Sequence, residues 1–154
     1  MDVRLMTVDE NNMDKLSGFE VLECQKRFVP PVAGILARAW VYRKSGAELL
    51  AITNDGTPVG LMLVYEIDEE PACYYLMEML VDKAHQGRGI GTEAVRQLIK
   101  MYSAEPKYPM MEVSVDRENA AAIAAYSKAG FSDEGYTDPD LPQYVNLVYR
   151  FKND

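Results

Sequence analysis

The sequence predicts an α+β domain, with a mixed, mostly antiparallel central sheet flanked by helices. Three observations carry this reading. Short apolar or alternating stretches are separated by hairpin turn signals at Asn54-Asp55-Gly56 and Asp68-Glu69-Glu70-Pro71. Apolar residues at three-to-four spacing mark helices before and after that hairpin region. The 154 residues, 48% hydrophobic and 26% charged, suit a single domain over 1–154. Only the segments around the two later helices have the length of a parallel crossover, so a doubly wound sheet is not expected.

Each element follows from its local pattern. Arg4–Val8 is a short first strand, and Asp9 stands where a helix N-cap would, with Asn12 three residues on. Residues 10–28 carry no clear period. Pro30-Pro31 suits a helix start, and Val32, Ile35, Leu36, Ala39 and Trp40 then repeat on one face to about Arg43. Glu48–Thr53, Thr57–Glu66 and Tyr74–Val81 are three strands joined by the two turns. Ala94, Val95, Leu98, Ile99 and Tyr102 share one helical face. Met110–Val115 is a strand and Asn119–Ala129 an alanine-rich helix, with Gly130 as its C-terminal cap. Phe131–Tyr136 and Gln143–Phe151 close the chain as strands, the last with Val145, Leu147, Tyr149 and Phe151 on its apolar face. The order is β-α-α-β-β-β-α-β-α-β-β.

Composition narrows the function classes. A formal charge of −8 disfavours a nucleic-acid partner, because acidic surfaces repel phosphate backbones, and it draws cations instead. Apolar runs are too short for a membrane span, and the N-terminus lacks the layout of a secretory signal. Cys24, Cys73 and the single His85 are too few for a disulfide framework or for a zinc site without carboxylates. Both cysteines are expected as small buried residues, His85 as a loop residue, and the protein as cytoplasmic and metal-free.

Chemistry concentrates in Val81-Asp82-Lys83-Ala84-His85-Gln86-Gly87-Arg88-Gly89-Ile90-Gly91-Thr92. This stretch leaves a strand, passes alternating glycines and opens a helix. Glycines bring successive N–H groups close to a ligand, and the helix adds unpaired N–H groups and a positive dipole end. Together these suit a phosphate or pyrophosphate. A Walker loop would end in Gly-Lys-Ser/Thr, and a dinucleotide fingerprint would place glycine where Thr92 stands. In a second segment, Asn119 is a good N-cap, and Tyr126 lies about two turns on, on the same face. Taken alone, Tyr126 also fits an interfacial core aromatic.

Together the segments resemble a known family. Gln86-x-x-Gly89-x-Gly91 is similar to the acetyl-CoA signature of the GNAT superfamily of N-acetyltransferases, and Asn119 through Tyr126 to Gly130-Phe131 looks like that family's second conserved helix and following strand. The resemblance extends to the element order over essentially the whole chain. Gln25-x-x-Phe28-Val29 and Tyr75-Leu76-x-x-x-Leu80-Val81-Asp82-Lys83 look closest to the bacterial spermine/spermidine acetyltransferases. Met77-Glu78 and the region around Leu141-Pro142-Gln143 depart from that group's pattern.

The resemblance implies transfer of acetyl from acetyl-CoA to a primary amine of a small molecule, a polyamine among the candidates, by direct attack. It implies cofactor contacts from Leu80, Val81, Gln86, Gly87, Arg88, Gly89, Ile90, Gly91, Thr92 and Asn119, and Tyr126 as the general acid. Arg88 also fits an exposed loop residue. The resemblance also implies a carboxylate base on the central strand; Tyr75, Met77 and Met79 carry none on their face, so that role falls to Glu78 on condition that a bulge turns it inward, and Glu78 otherwise fits an exposed or hairpin-facing glutamate. The acidic runs Glu66–Glu70, Asp133-Glu134, Asp138 and Asp140 fit either a polycation site or solvated loops. A protein or peptide N-acetyltransferase and a CoA-binding regulatory module stand as alternatives, and the family analogy admits a homodimer.

Overall fold

The computed structural model describes residues 1–152 and has the predicted element order. Seven strands form one sheet: β1 (Val3–Thr7), β2 (Glu48–Asn54), β3 (Thr57–Ile67), β4 (Cys73–Val81), β5 (Met110–Asp116), β6 (Ser132–Asp133) and β7 (Tyr144–Arg150). Among the described residues four α-helices accompany them: α1 (Met13–Leu16), α2 (Val32–Val41), α3 (Ile90–Ser103) and α4 (Ala120–Lys128). The spatial order is β1-β2-β3-β4-β5-β7-β6, antiparallel throughout except for the parallel pair β4/β5. Parallel neighbours need a crossover, and α3 supplies it between β4 and β5.

Local chemistry explains the joints. Asp55 and Gly56 both take positive φ, the two-residue hairpin conformation whose twist matches the flanking strands. Asn119 Oδ1 accepts the Ala122 N–H and so caps α4. At the other end Gly130 adopts φ +109, and Phe131 N–H donates back to Tyr126 C=O. Each face of the sheet carries a core. Ile90, Val95 and Leu98 of α3 pack over Leu50, Met62, Leu76 and Met111, while Val32 and Ile35 of α2 cover Leu61, Leu63 and Leu80.

Four expectations need correction. The strand expected over Phe131–Tyr136 is only Ser132–Asp133, because Gly135 turns at φ +89 with its N–H held by Asp133 Oδ1. The first helix is a single turn, Met13–Leu16, beginning four residues after Asp9; Asp9 nonetheless caps the approach to it, its Oδ1 accepting the Asn11 N–H and its own N–H donating to Asn12 Oδ1. Trp40 lies 66% exposed with the Arg43 guanidinium over its ring, so it is not part of the packed face of α2. Cys24 is exposed, and only Cys73 is buried.

Candidate active site

The glycine loop leaves β4 through a short 3₁₀ turn at Lys83–His85 and enters α3 with Gly89 as N-cap. Gly87 and Gly89 both take φ +78, and nothing lies within 4 Å of where their side chains would begin. A substituent there would strain the backbone and fill open space. Glu93 N–H bonds Gly89 C=O, so the N–H groups of Ile90, Gly91 and Thr92 form the open first turn of α3. Backbone donors thus converge on a space left clear by glycine, which fits a pyrophosphate.

Gln86 has a different local task. Its amide exchanges reciprocal 2.9 Å hydrogen bonds with the Gln25 amide and donates another to Val81 C=O. Gln25 also accepts the Leu22 N–H. Asp82 accepts the Glu20 N–H, and Lys83 pairs with Glu20. These bonds fasten the aperiodic segment before α2 to the loop, and they bring Val21, Phe28 and Val29 to the wall of the same cleft.

The cleft has a volume of about 520 Å³ and opens where β4 and β5 part. The two strands pair only at Tyr74/Met111 and Tyr75/Glu112. Beyond that point Met77–Val81 on one side, and Val113–Asp116 with Asn119, Ala122 and Tyr126 on the other, line the gap. Parallel strands that separate leave main-chain N–H and C=O groups facing the gap without a strand partner. An extended amide-bearing ligand fits that edge.

The required bulge is present in β4. Leu76 pairs with Val64 and Glu78 with the preceding Leu63, so Met77 has no opposite residue. Side-chain parity flips there: Leu76 faces the α3 core, yet Met79 and Val81 do too, while Leu80 faces α2. Glu78 is thereby turned to the α2 side, where its side chain is 14% exposed and receives Arg38 Nη1 at 3.3 Å. Burial pushes its carboxyl up to about 7, and Arg38 offsets part of that rise.

Tyr126 is 5% exposed, packs on Phe131 at a centroid distance of 5.7 Å, and lines the cleft. It is both a core aromatic and a cleft residue. Burial raises its phenol, with Glu78 and Tyr75 adding to the rise, so the hydroxyl keeps its proton across the neutral range. Leu80, Val81, Gln86, Gly87, Gly89, Ile90, Gly91, Thr92 and Asn119 join Tyr126 and Glu78 in one lining, whereas Arg88 is exposed and outside it. His85, read as a loop residue, also reaches the lining. Sequence reasoning missed Arg38, Ser114 and Tyr144. Arg38 meets Glu78 across a gap of 40 residues that no local period encodes.

The acetyltransferase (GNAT) family profile matches residues 18–131. Over 131 residues the chain is 26% identical to the aminoglycoside N(6')-acetyltransferase type 1 of Klebsiella pneumoniae, covering 78% of this chain and 61% of that enzyme. The chain therefore spans about three fifths of that relative's length. It is 28% identical over 79 residues to the spermine/spermidine N(1)-acetyltransferase of Bacillus subtilis (strain 168), covering 51% of this chain and 52% of that one. The polyamine-enzyme likeness is thus confined to about half of the chain, and the aminoglycoside enzyme aligns over more of it. Among solved structures, the aminoglycoside acetyltransferase AAC(6')-Ib in complex with coenzyme A and kanamycin superposes with a TM-score of 0.78 at 20% identity, over 97% of this chain and 95% of that one. At that identity the match bears on the fold.

Proposed function

The chain belongs to the acetyltransferase (GNAT) family, and from that premise we propose that it transfers acetyl from acetyl-CoA to the primary amine of a small molecule, with polyamines among the acceptors. One observation carries the proposal: the open α3 N-terminus, the parted edge of β4, Glu78 and Tyr126 all face a single cleft. A relative is a spermine/spermidine N(1)-acetyltransferase, and a structural neighbour holds coenzyme A and kanamycin.

Acetyl-CoA supplies an activated thioester, and the protein's part is placement and proton handling. The Gly87–Thr92 backbone holds the pyrophosphate, and the free edge of Met77–Val81 holds the pantetheine amides. Asn119, with its Oδ1 engaged by Ala122 N–H, keeps its amide N–H₂ for the pantetheine arm. Arg88 reaches phosphate from outside the cleft. Holding both reactants in line accounts for a large share of the acceleration. In this reading a main-chain N–H near Leu80 stabilises the developing oxyanion.

An ammonium of pKa about 10 must lose a proton before it attacks. Glu78, poised near 7, accepts that proton directly or through water. The amine nitrogen bonds the carbonyl carbon and gives its second proton to water, the C–S bond breaks, and the departing thiolate takes the Tyr126 proton, which solvent then restores to the phenol. Tyr126 suits this step because its environment holds it protonated.

The test is free-thiol release from acetyl-CoA over a panel of amines and peptides, with Tyr126→Phe alongside. Saturable, amine-dependent release is expected, and the substitution should cut kcat by about 10²–10⁴ while the KM for acetyl-CoA changes little. Release with peptides alone would move the assignment to protein acetylation. Coenzyme A binding without release to any acceptor would point to a regulatory module.

A further inference from the structure

The segment between α1 and α2 is fastened to one wall of the cleft and reaches across to the other. Glu20 N–H donates to Asp82 Oδ1 at 2.9 Å, Lys83 N–H donates to Glu20 C=O at 2.7 Å, and the Lys83 ammonium pairs with the Glu20 carboxylate. The reciprocal Gln25–Gln86 amide pair is a second anchor on the same side, just past the end of β4. From these anchors the chain turns Val21, Gln25, Phe28 and Val29 into the cleft, while the residues between them are exposed.

Past Gln25 the segment leaves the β4 side. Arg27 Nη1 donates to Glu118 Oε2, 91 residues on in the chain, at the corner between β5 and α4. Glu118 stands directly before Asn119, the α4 N-cap, and its own N–H is held by Asp116 Oδ1 at 2.9 Å. Its carboxylate therefore projects from a fixed backbone on the far wall. The Arg27 guanidinium carbon also lies 4.5 Å from the centre of the Phe28 ring, so the cation that reaches Glu118 rests on a side chain that walls the cleft. Among the described residues, no other hydrogen bond or ion pair joins residues 20–29 to the β5–α4 wall.

The two attachments differ in strength. Near β4 the segment has main-chain bonds, an ion pair and a half-buried amide pair. On the far side it has one ion pair whose side chains are 60% and 67% exposed, a contact that solvent competes for and that opens readily. The crossing also has a meaningful place. β4 and β5 pair only at Tyr74/Met111 and Tyr75/Glu112, and the segment bridges them beyond the C-terminal ends of both, where they have parted.

We propose that residues 20–29 are a strap across the open end of the cleft, clasped by Arg27 and Glu118, and that closing the clasp seats Phe28 against the pantetheine arm and retains coenzyme A. This rests on the placement of that arm between β4 and β5 given above. Arg27 and Glu118 act through the strap and are positioning residues. Surface plasmon resonance of coenzyme A on the full chain reads its dissociation rate. Arg27→Gln and Glu118→Gln should each raise that rate about two- to fivefold, the span of one exposed ion pair. The double variant should dissociate no faster than either single one, because a clasp already open has nothing more to lose. Arg27→Lys keeps the charge and should restore most of the retention. Both side chains are exposed, so melting temperatures should stay at the parent value.

Amide hydrogen exchange over residues 20–29 of the free protein needs no ligand and should quicken in Glu118→Gln by a similar factor. Unchanged exchange would overturn the strap itself. Losses of retention that add in the double variant would also overturn the clasp, since each residue would then contact the coenzyme on its own. The two readings fail differently. A coenzyme that binds and leaves parent and variants at one rate overturns the clasp alone. A parent with no saturable coenzyme A signal overturns the cofactor placement, and the retention role falls with it.

Discussion

Glu78 and Tyr126 hold opposite ends of one proton inventory, and their surroundings push them to suit. Glu78 is buried enough to retain its proton to about 7 and then release it, while Tyr126 retains its own throughout. The burial of Glu78 also has a stability signature. Its folded-state pKa is raised above the unfolded value of about 4.3, so its contribution to stability is full below pH 4.3 and is lost as pH rises toward 7. Glu78→Gln should therefore match the parent in unfolding free energy near pH 4 and exceed it at pH 8 by up to about 4 kcal/mol, read by denaturant unfolding. A variant less stable at pH 8 would mean that the Arg38 ion pair outweighs the desolvation. At this scale the sequence was informative where chemistry is local: the Asn119 cap, the Gly130 turn and the Tyr126 spacing are read from neighbours in the chain. The partnership of Glu78 with Arg38 was hidden, because contact between α2 and β4 is a property of packing.

At the scale of elements, the site depends on two irregularities in β4. The bulge at Met77 turns Glu78 toward α2, and the parting from β5 opens the cleft. The strand itself was readable from its apolar run, yet its bulge depends on which β3 residue each position meets, and that register is not written in β4. The glycine loop was readable because glycine leaves its mark in sequence, whereas the walls from Val21 to Val29 come from a segment with no period at all. Two glycine substitutions separate shape from scaffold. Gly60 sits against Leu80 C=O, where an added methyl must push β3 and β4 apart. Gly60→Ala should cost about 1–3 kcal/mol or more in unfolding free energy and weaken coenzyme A binding. Gly89→Ala meets no neighbour but must hold φ +78, so a smaller loss of about 1–2 kcal/mol is expected, with an equally clear loss of coenzyme A affinity.

Across the whole molecule, the excess of acid is distributed with more structure than the sequence indicated. Glu66 is paired with Lys107 and Glu134 with Arg150, so two of the acidic runs are partly answered within the fold. Asp138 reaches a cavity beside the reaction cleft. The fold class and element order were legible because hairpin turns and helical periods are short-range signals, while the truncated β6 and the exposed Trp40 reflect how loops and helix faces meet the rest of the protein. Coenzyme A binds between β4, β5, α3 and α4 in this account, so it should stabilise the domain as a unit. At 100 times its Kd the gain is about 2.7 kcal/mol, or roughly 5–10 °C in melting temperature for a chain of this size. The most direct test of the central claim is the pH dependence of kcat/KM for amine-dependent acetyl transfer, measured with the parent and with Glu78→Gln. With Glu78 as the base, the parent profile has an acid limb that bends near 7, and the variant is slower and lacks that bend. An unchanged acid limb in the variant would contradict Glu78 as the base.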